Sequence, residues 1–116
     1  RLAAEVCDQY RGQETAVLDV SGITALFDYF VITTATNRRQ MHAIADQVSV
    51  ALKRQGEVRR SREGYEGNSW IVEDFGDVIL HVFTPESREL YDLENLWGDA
   101  VPVDWKSQSV ADAETP

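Results

Sequence analysis

The feature that most constrains the fold is the segment 28–35, which reads Asp-Tyr-Phe-Val-Ile-Thr-Thr-Ala. Its middle is a continuous run of aromatic and β-branched residues, which are the residue types that strands favour. A strand with one face in water alternates apolar and polar residues, whereas a continuous apolar run predicts a strand that is buried on both faces. The chain therefore needs other elements on both sides of this strand.

The surrounding pattern predicts helices and further strands. Apolar residues at three- and four-residue spacing predict three helices, over residues 1–11, 37–55 and 85–97. The last of these helices begins with a capping hydroxyl and a proline, and Leu90, Leu93 and Trp97 form its inner stripe. Strands are predicted at residues 16–20, 28–35, 57–60, 69–73 and 78–83.

The order of these elements predicts a fold of the α/β class, with a mixed, five-stranded sheet and helices packed on it. No linker or internal repeat divides the chain, so residues 1–100 are expected to form one domain. Residues 101–116 contain two prolines and few large apolar residues, and they are expected to form a mobile C-terminal tail.

Charge is divided unevenly along the chain. Residues 1–56 contain six acidic and six basic residues, whereas residues 57–104 contain twelve acidic and four basic ones and hold eight of the nine net negative charges. Phosphate binding needs Lys and Arg to displace counterions, so we expect little direct nucleic-acid binding. An acidic surface that also bears aromatic residues favours a basic macromolecular partner.

Composition also indicates the cellular compartment in which the protein works. Cys7 is the only cysteine and cannot form an internal disulfide, which favours a reducing cytosol. No apolar run approaches the roughly 18 residues of a membrane-spanning helix. We therefore expect a cytoplasmic protein without a membrane segment.

The residues that could carry chemistry lack the partners that the chemistry requires. His42 and His81 have no histidine or cysteine at a metal-ligand spacing, and His81 is instead expected to be half-buried and hydrogen-bonded to a neighbour. A mixed sheet in which Asp28 opens the second strand loosely resembles that of nucleotidyltransferases. Those enzymes hold two metal ions with an Asp-x-Asp pair, but Leu26 and Phe30 occupy the positions two residues from Asp28. No catalytic residue, metal ligand or cofactor is therefore assigned.

A protein-binding surface is the remaining candidate site. Trp70 begins a strand directly after a loop, and Tyr91 and Leu96 lie off the inner stripe of the last helix. A helix with large apolar residues on more than one side needs either complete burial or a second protein. Because Trp and Tyr are frequent anchors of interfaces, these residues predict a binding surface. The alternative is that the aromatic residues all complete one core.

Seven segments, taken together and in order, closely resemble the ribosomal silencing factor (Iojap) family. They are residues 17–22 (VLDVSG), 28–32 (DYFVI), 37–41 (NRRQM), 44–46 (IAD), 63–65 (EGY), 70–83 (WIVEDFGDVILHVF) and 86–97 (ESRELYDLENLW). The resemblance covers about residues 1–100 in register. Each segment alone is a weak signal, but all seven in order are a specific one.

The resemblance implies a function without catalysis. Proteins of this family bind the large ribosomal subunit through its fourteenth numbered protein, stop the small subunit from joining and so repress translation when nutrients are scarce. They also take part in late assembly of the large subunit. Their fold is similar to that of nucleotidyltransferases without the catalytic residues, and no cofactor is expected.

The family pattern and the surface argument together assign the partner-binding residues. Trp70 would be the apolar anchor, carboxylates would pair with basic groups of the partner, and His81 and Arg88 would position the surface. Helix periodicity, however, places one member, Leu93, inward. The full set is Trp70, Asp77, His81, Arg88, Tyr91, Leu93, Glu94 and Leu96.

Other functions stay open on the sequence. One is an enzyme of the nucleotidyltransferase type that uses Asp28 and a second, unassigned acid. Another is an RNA-binding assembly factor, which a net charge of −9 opposes. Its candidate residues are Arg38, Arg39, Arg59, Arg60 and Arg62. Arg38 and Arg39 oppose the dipole of a helix start, so they are either simply exposed or contact an anion or an acidic partner. An exposed hairpin edge and the small size also allow a homodimer.

Overall fold

The structure is a computed structural model and describes residues 1–105. The described elements, in chain order, are α1 (Leu2–Gln9), β1 (Gln13–Asp19), β2 (Tyr29–Thr34), α2 (Arg38–Arg54), β3 (Ser61–Glu63), β4 (Trp70–Asp74), β5 (Val78–Phe83), α3 (Pro85–Tyr91), α4 (Leu93–Leu96) and β6 (Val101–Val103). The α/β class predicted from the sequence is confirmed.

The six strands form one mixed sheet in the order β3-β4-β5-β2-β1-β6. The central strands β2 and β5 are parallel, and every other neighbouring pair is antiparallel. Phe30, the second residue of β2, pairs with Ile79 of β5, and both are buried. Five of the six residues of β2 are buried, which confirms the strand predicted to be covered on both faces.

Helices cover both faces of the sheet. The first face packs against α1 and α2, and the second packs against α3, α4 and the loop between β1 and β2. The buried stripe of α2 is the one predicted from its spacing, and it consists of Met41, Ile44, Ala45, Val48 and Leu52. On the second face, Leu18, Phe30 and Phe83 form a smaller core with Leu93 of α4.

Local hydrogen bonds define where the helices begin. The side chain of Asn37 caps α2 by accepting a hydrogen bond from the backbone N–H of Gln40 at 2.8 Å. The hydroxyl of Thr84 caps α3 by accepting one from the N–H of Ser87 at 3.2 Å, and Pro85 follows it directly. Both caps lie just past the ends of the central strands, so β2 leads directly into α2 and β5 into α3.

The predicted five-stranded sheet and the predicted domain end at residue 100 are wrong. Strand β6 pairs antiparallel with β1, with Val103 opposite Val17. Trp105 is only 8% exposed, and its Nε1–H donates to the carbonyl oxygen of Thr15 at 3.1 Å. The prolines of this segment predicted a tail, but an edge strand tolerates Pro102 because one of its sides needs no ladder partner. The rest of the predicted tail, residues 106–116, lies outside the described residues.

The predicted last helix is also interrupted. Asp92 adopts a left-handed conformation, with φ 44° and ψ 54°, and separates α3 from α4. Leu90, which a continuous helix would have turned inward, is 77% exposed. The strand predicted at residues 57–60 is likewise displaced, and the observed β3 is Ser61–Glu63.

Trp105 provides a test of the correction at the C-terminal end. We expect Trp105→Ala to lower the free energy of unfolding by about 3 kcal/mol, because it removes a buried ring from the first-face core. Val101→Ala is the matched control, since Val101 lies in the same segment and is 62% exposed. Urea unfolding measures both variants. Equal costs for the two would show that this segment is not docked on the sheet.

Candidate functional site

The candidate site is built around the indole ring of Trp70 on the second face of the sheet. Trp70 lies opposite Phe83 in the β4–β5 ladder, and their rings stack with centroids 4.9 Å apart. The ring of Tyr91, at the end of α3, lies 4.7 Å from the indole centroid. Trp70 is therefore only partly exposed, and neighbouring rings fix its position.

His81 provides the polar contact of the indole. Trp70 Nε1–H donates to His81 Nδ1 at 3.1 Å, which confirms the predicted hydrogen bond, whereas the predicted half-burial is wrong because the ring is buried. His81 is 6% exposed, and burial lowers its pKa to about 4, so the ring is neutral at pH 7. Because Nδ1 accepts, the ring proton is assigned to Nε2, which is buried and has no hydrogen-bond partner within residues 1–105. His81 positions Trp70 and is not placed to transfer a proton.

Arg88 ties α3 to α4 and to the sheet. Its Nη2 and Nε donate to the two carboxylate oxygens of Glu94 at 2.9 and 3.3 Å. Its Nη1 donates to Thr34 Oγ1 at 2.9 Å and to the carbonyl oxygen of Gln13 at 3.3 Å. Residues six apart do not face each other on one straight helix, so the interruption at Asp92 is what allows the pair with Glu94.

Helices α3 and α4, together with Trp70 and His81 below them, are termed the ledge. Leu93 is 7% exposed and anchors the ledge in the second-face core, as helix periodicity predicted. Leu96 and Tyr91 point outward with 74% and 50% exposure. Leu90, at 77% exposure, joins them on the outer surface and was missed because the sequence placed it inside.

The outer surface of the ledge is acidic as well as apolar. Four carboxylates lie on or between its two short helices, and the single basic residue among them, Arg88, is already paired with Glu94. The four are Glu86, Glu89, Asp92 and Glu94. Exposed leucines beside unpaired carboxylates form the kind of surface that a partner with apolar pockets and basic groups would complement.

One predicted site residue, Asp77, lies away from the ledge. It precedes β5, whereas Trp70 lies opposite the far end of that strand. At about 3.3 Å per strand residue, the two ends are roughly 20 Å apart. Asp77 instead lines a separate cavity of about 210 Å³ with Tyr29 and Val78. The structure thus brings together the other seven predicted residues and leaves Asp77 out.

The described residues offer no catalytic arrangement. Asp28 is exposed, and within residues 1–105 no group of three or more His, Cys, Asp or Glu side chains could hold a metal ion. Cys7 is fully buried, and burial raises the pKa of its thiol to about 12, so it is not a thiolate nucleophile. No helix in this part of the chain is long and apolar enough to cross a membrane.

A buried carboxylate of β4 helps to hold α2 to the sheet through its arginine partners. Glu73 is fully buried and accepts from Arg62 Nε at 2.6 Å and from Arg59 Nη1 at 3.4 Å. Arg62 also pairs with Asp46 of α2 at 2.9 Å. Burial raises the pKa of Glu73, although the two guanidinium groups oppose that shift. Arg59 and Arg62 are thus engaged inside the protein.

Comparisons with known proteins identify the family. Residues 1–116 match the family described as "Ribosomal silencing factor during starvation". The chain is 38% identical over 102 residues to the ribosomal silencing factor of Chromobacterium violaceum, covering 88% of this chain and 84% of that one. The corresponding Bacillus subtilis protein is 36% identical over 104 residues, with 90% and 88% covered. A mouse protein named "Mitochondrial assembly of ribosomal large subunit protein 1" is 33% identical over 92 residues, with 77% and 40% covered.

A solved structure shows the same fold. The crystal structure of a Chromobacterium violaceum protein matches with a TM-score of 0.80 and 39% sequence identity, over 84% of this chain and 81% of that one. The fold and the ledge define a small α/β protein with an exposed apolar and acidic surface. The chain belongs to the ribosomal silencing factor family, a class of translation regulators and not of enzymes.

His81 gives the fold a pH dependence that can be measured. Its folded-state pKa is about 4 against an ordinary value of 6.5, so the unfolded chain takes up the proton first as the pH falls. We expect the free energy of unfolding to fall by up to about 3 kcal/mol between pH 6.5 and pH 4 from this group. In His81→Gln this part of the decline should be absent in urea unfolding at matched pH values.

The control for this measurement is His42→Gln. His42 lies on α2, where its ring stacks on Tyr65 at 4.0 Å, far from the ledge in the sequence and on the other face of the sheet. This variant should retain the decline of the wild type. An unchanged pH profile in His81→Gln would contradict the assignment of His81 as a buried neutral histidine.

Proposed function

We propose that this protein represses translation by binding the large ribosomal subunit through its fourteenth numbered protein and sterically blocking the small subunit. The observation that carries the proposal is the ledge, whose apolar side chains are exposed on a rigid base. Leu90, Tyr91 and Leu96 are each at least half exposed, while Leu93 and Trp70 below them are packed. Blocking needs only occupancy and bulk, so no catalytic group is required.

A rigid base supports tight binding. The hydrogen bond from Trp70 to His81 and the paired hydrogen bonds from Arg88 to Glu94 hold the ledge in one arrangement before a partner arrives. Binding to a surface that is already ordered loses less conformational entropy than binding to a flexible one. Partly buried Trp and Tyr rings are also the side chains that contribute most at protein interfaces.

Charge supports a basic protein as the partner. The carboxylates of the ledge attract a basic ribosomal protein, and the same charge is repelled by bare RNA. The name of the mouse relative, which refers to assembly of the large ribosomal subunit, supports that subunit as the target. It also supports a second role in large-subunit assembly. We propose a cytoplasmic location for this activity, as for a factor that meets free subunits.

The alternatives have less support. We propose that the fold is similar to that of nucleotidyltransferases. The catalytic residues of those enzymes are absent, because no carboxylate lies two residues from Asp28. Two of the candidate residues for an RNA-binding assembly factor, Arg59 and Arg62, already pair with Glu73 and are less available to bind RNA. A homodimer stays an alternative, and the edge strands β3 and β6 are those that could pair with a second copy.

Cosedimentation tests the proposal directly. The protein would be mixed with separated small and large ribosomal subunits, and then with both together. We expect selective capture by the large subunit and fewer joined particles. Capture by the small subunit, or joining that proceeds at the rate without the protein, would overturn the proposal.

Leu96 tests the ledge as the contact surface. We expect Leu96→Glu to weaken large-subunit binding at least tenfold, because it places a charge where an apolar side chain would enter the partner. The fold should be unaffected, since Leu96 is 74% exposed. The matched control is Val58→Glu, which makes a similar change at a residue 63% exposed in the loop after α2. Titration of fluorescently labelled protein with large subunits measures both, and equal effects would exclude the ledge.

Ionic strength tests the charge argument separately. A contact between an acidic ledge and a basic protein should weaken as salt rises, because exposed charges are screened beyond about 8–10 Å at physiological ionic strength. We expect the Kd for the large subunit to increase with potassium chloride. If the Kd does not change with salt, the carboxylates of the ledge do not contribute to binding of the large subunit.

A further inference from the structure

A second charged surface lies where α2 begins. Arg11, Arg38 and Arg39 are all exposed there and are termed the arginine surface. They come from two segments of the chain, which Gln40 holds together. Its Nε2 donates to the carbonyl oxygens of Tyr10 at 3.2 Å and Arg11 at 2.8 Å. The arginine surface is therefore a defined feature of the fold rather than a chance grouping on a loose loop.

No ion pair neutralises the cations of this surface within residues 1–105, although Arg38 Nη2 donates to the carbonyl oxygen of Glu66 at 3.1 Å. Arg11 and Arg39 form no ion pair within residues 1–105, although Asp8 and Glu14 each lie three residues from Arg11 in the sequence. The first turn of α2 contains no acidic residue. A helix start carries partial positive charge, so arginines there are electrostatically unfavourable. A bound anionic partner would relieve this repulsion.

The arginine surface adjoins the ledge. Arg11 and Arg39 line a groove of about 380 Å³, together with Gln13 and the ring of Tyr10, which is 39% exposed. The carbonyl oxygen of Gln13 also accepts from Arg88 of the ledge at 3.3 Å. If a ribosomal protein binds the ledge, the parts of the ribosomal subunit that adjoin that protein therefore lie next to this groove.

We propose that the arginine surface contacts the phosphate backbone of ribosomal RNA beside the protein on which the ledge docks. This inference rests on the proposed function. Guanidinium groups bind phosphate oxygens through paired hydrogen bonds, and all three cations of this surface are Arg rather than Lys. The ring of Tyr10 can stack on an unpaired base. The net charge of −9 still opposes binding to free RNA, so the contact forms when the ledge supplies the main affinity.

Two charge-matched double variants of the full chain test this proposal. Arg11→Gln with Arg39→Gln removes two cations of the surface, and neither side chain forms an ion pair with any described residue. Lys53→Gln with Arg54→Gln removes two exposed cations at the opposite end of the same helix. Both change the net charge equally, so a general charge effect would be the same in each.

The readout is affinity for purified large subunits over a series of salt concentrations. We expect the arginine-surface variant to bind roughly tenfold more weakly at low salt. The slope of log affinity against log salt should become shallower by roughly 1.5, at about 0.7–0.9 per phosphate contact. The control variant should bind within twofold of the wild type. Equal affinities and slopes for the two variants would overturn the inference.

Crosslinking identifies the chemistry of the partner. A photoreactive amino acid in place of Tyr10 should crosslink to RNA in the large subunit, and one in place of Leu96 should crosslink to protein. A protein crosslink alone at Tyr10 would assign the arginine surface to an acidic protein and overturn the inference, while the Leu96 result keeps the proposed function. If wild-type protein does not bind large subunits, the proposed function and this inference both fail.

Discussion

The parallel pairing of β2 with β5 determines where both charged surfaces lie. Because the two strands run in the same direction, their C-terminal ends lie side by side at the same end of the sheet. There the N–H of Ala35 donates to the carbonyl oxygen of Phe83 at 2.8 Å. One strand continues into α2 and the other into α3. The starts of these helices are therefore neighbours, and the arginine surface and the ledge lie side by side although about 50 residues separate them in the sequence.

The second face shows how a small domain stabilises an exposed apolar surface. The core on this face contains fewer buried residues than the core on the first face, and α3 and α4 together span fewer residues than α2. Arg88 compensates by joining Glu94, Thr34 and Gln13 through four hydrogen bonds. His81 adds a buried hydrogen bond to Trp70, but its own Nε2 has no partner among residues 1–105, which has a cost in stability. The arrangement favours a fixed ledge over maximal stability.

Sequence reasoning predicted those features that depend on local pattern. The buried strand at 28–35, the stripe of α2 and the cap at Thr84 follow from residue types and spacing, and the structure has all three. It failed where tertiary context decides. Strand β6 forms because β1 offers it a free edge, and the left-handed Asp92 ends the helical pattern so that Arg88 can pair with Glu94 beyond the break. Most of the predicted site residues meet on the ledge, but Asp77 does not, because the turn between the strands predicted at 69–73 and 78–83 places it at the opposite end of the hairpin from Trp70.

The outward direction of the ledge leucines has an evolutionary consequence. Leu90 and Leu96 make little contact with either core, so substitutions there change the free energy of unfolding by only about half a kcal/mol. Leu93, between them in the sequence, is constrained by packing. Recognition can therefore diverge between lineages while the scaffold stays the same, and such a protein can follow changes in its partner without first acquiring compensating mutations in its interior.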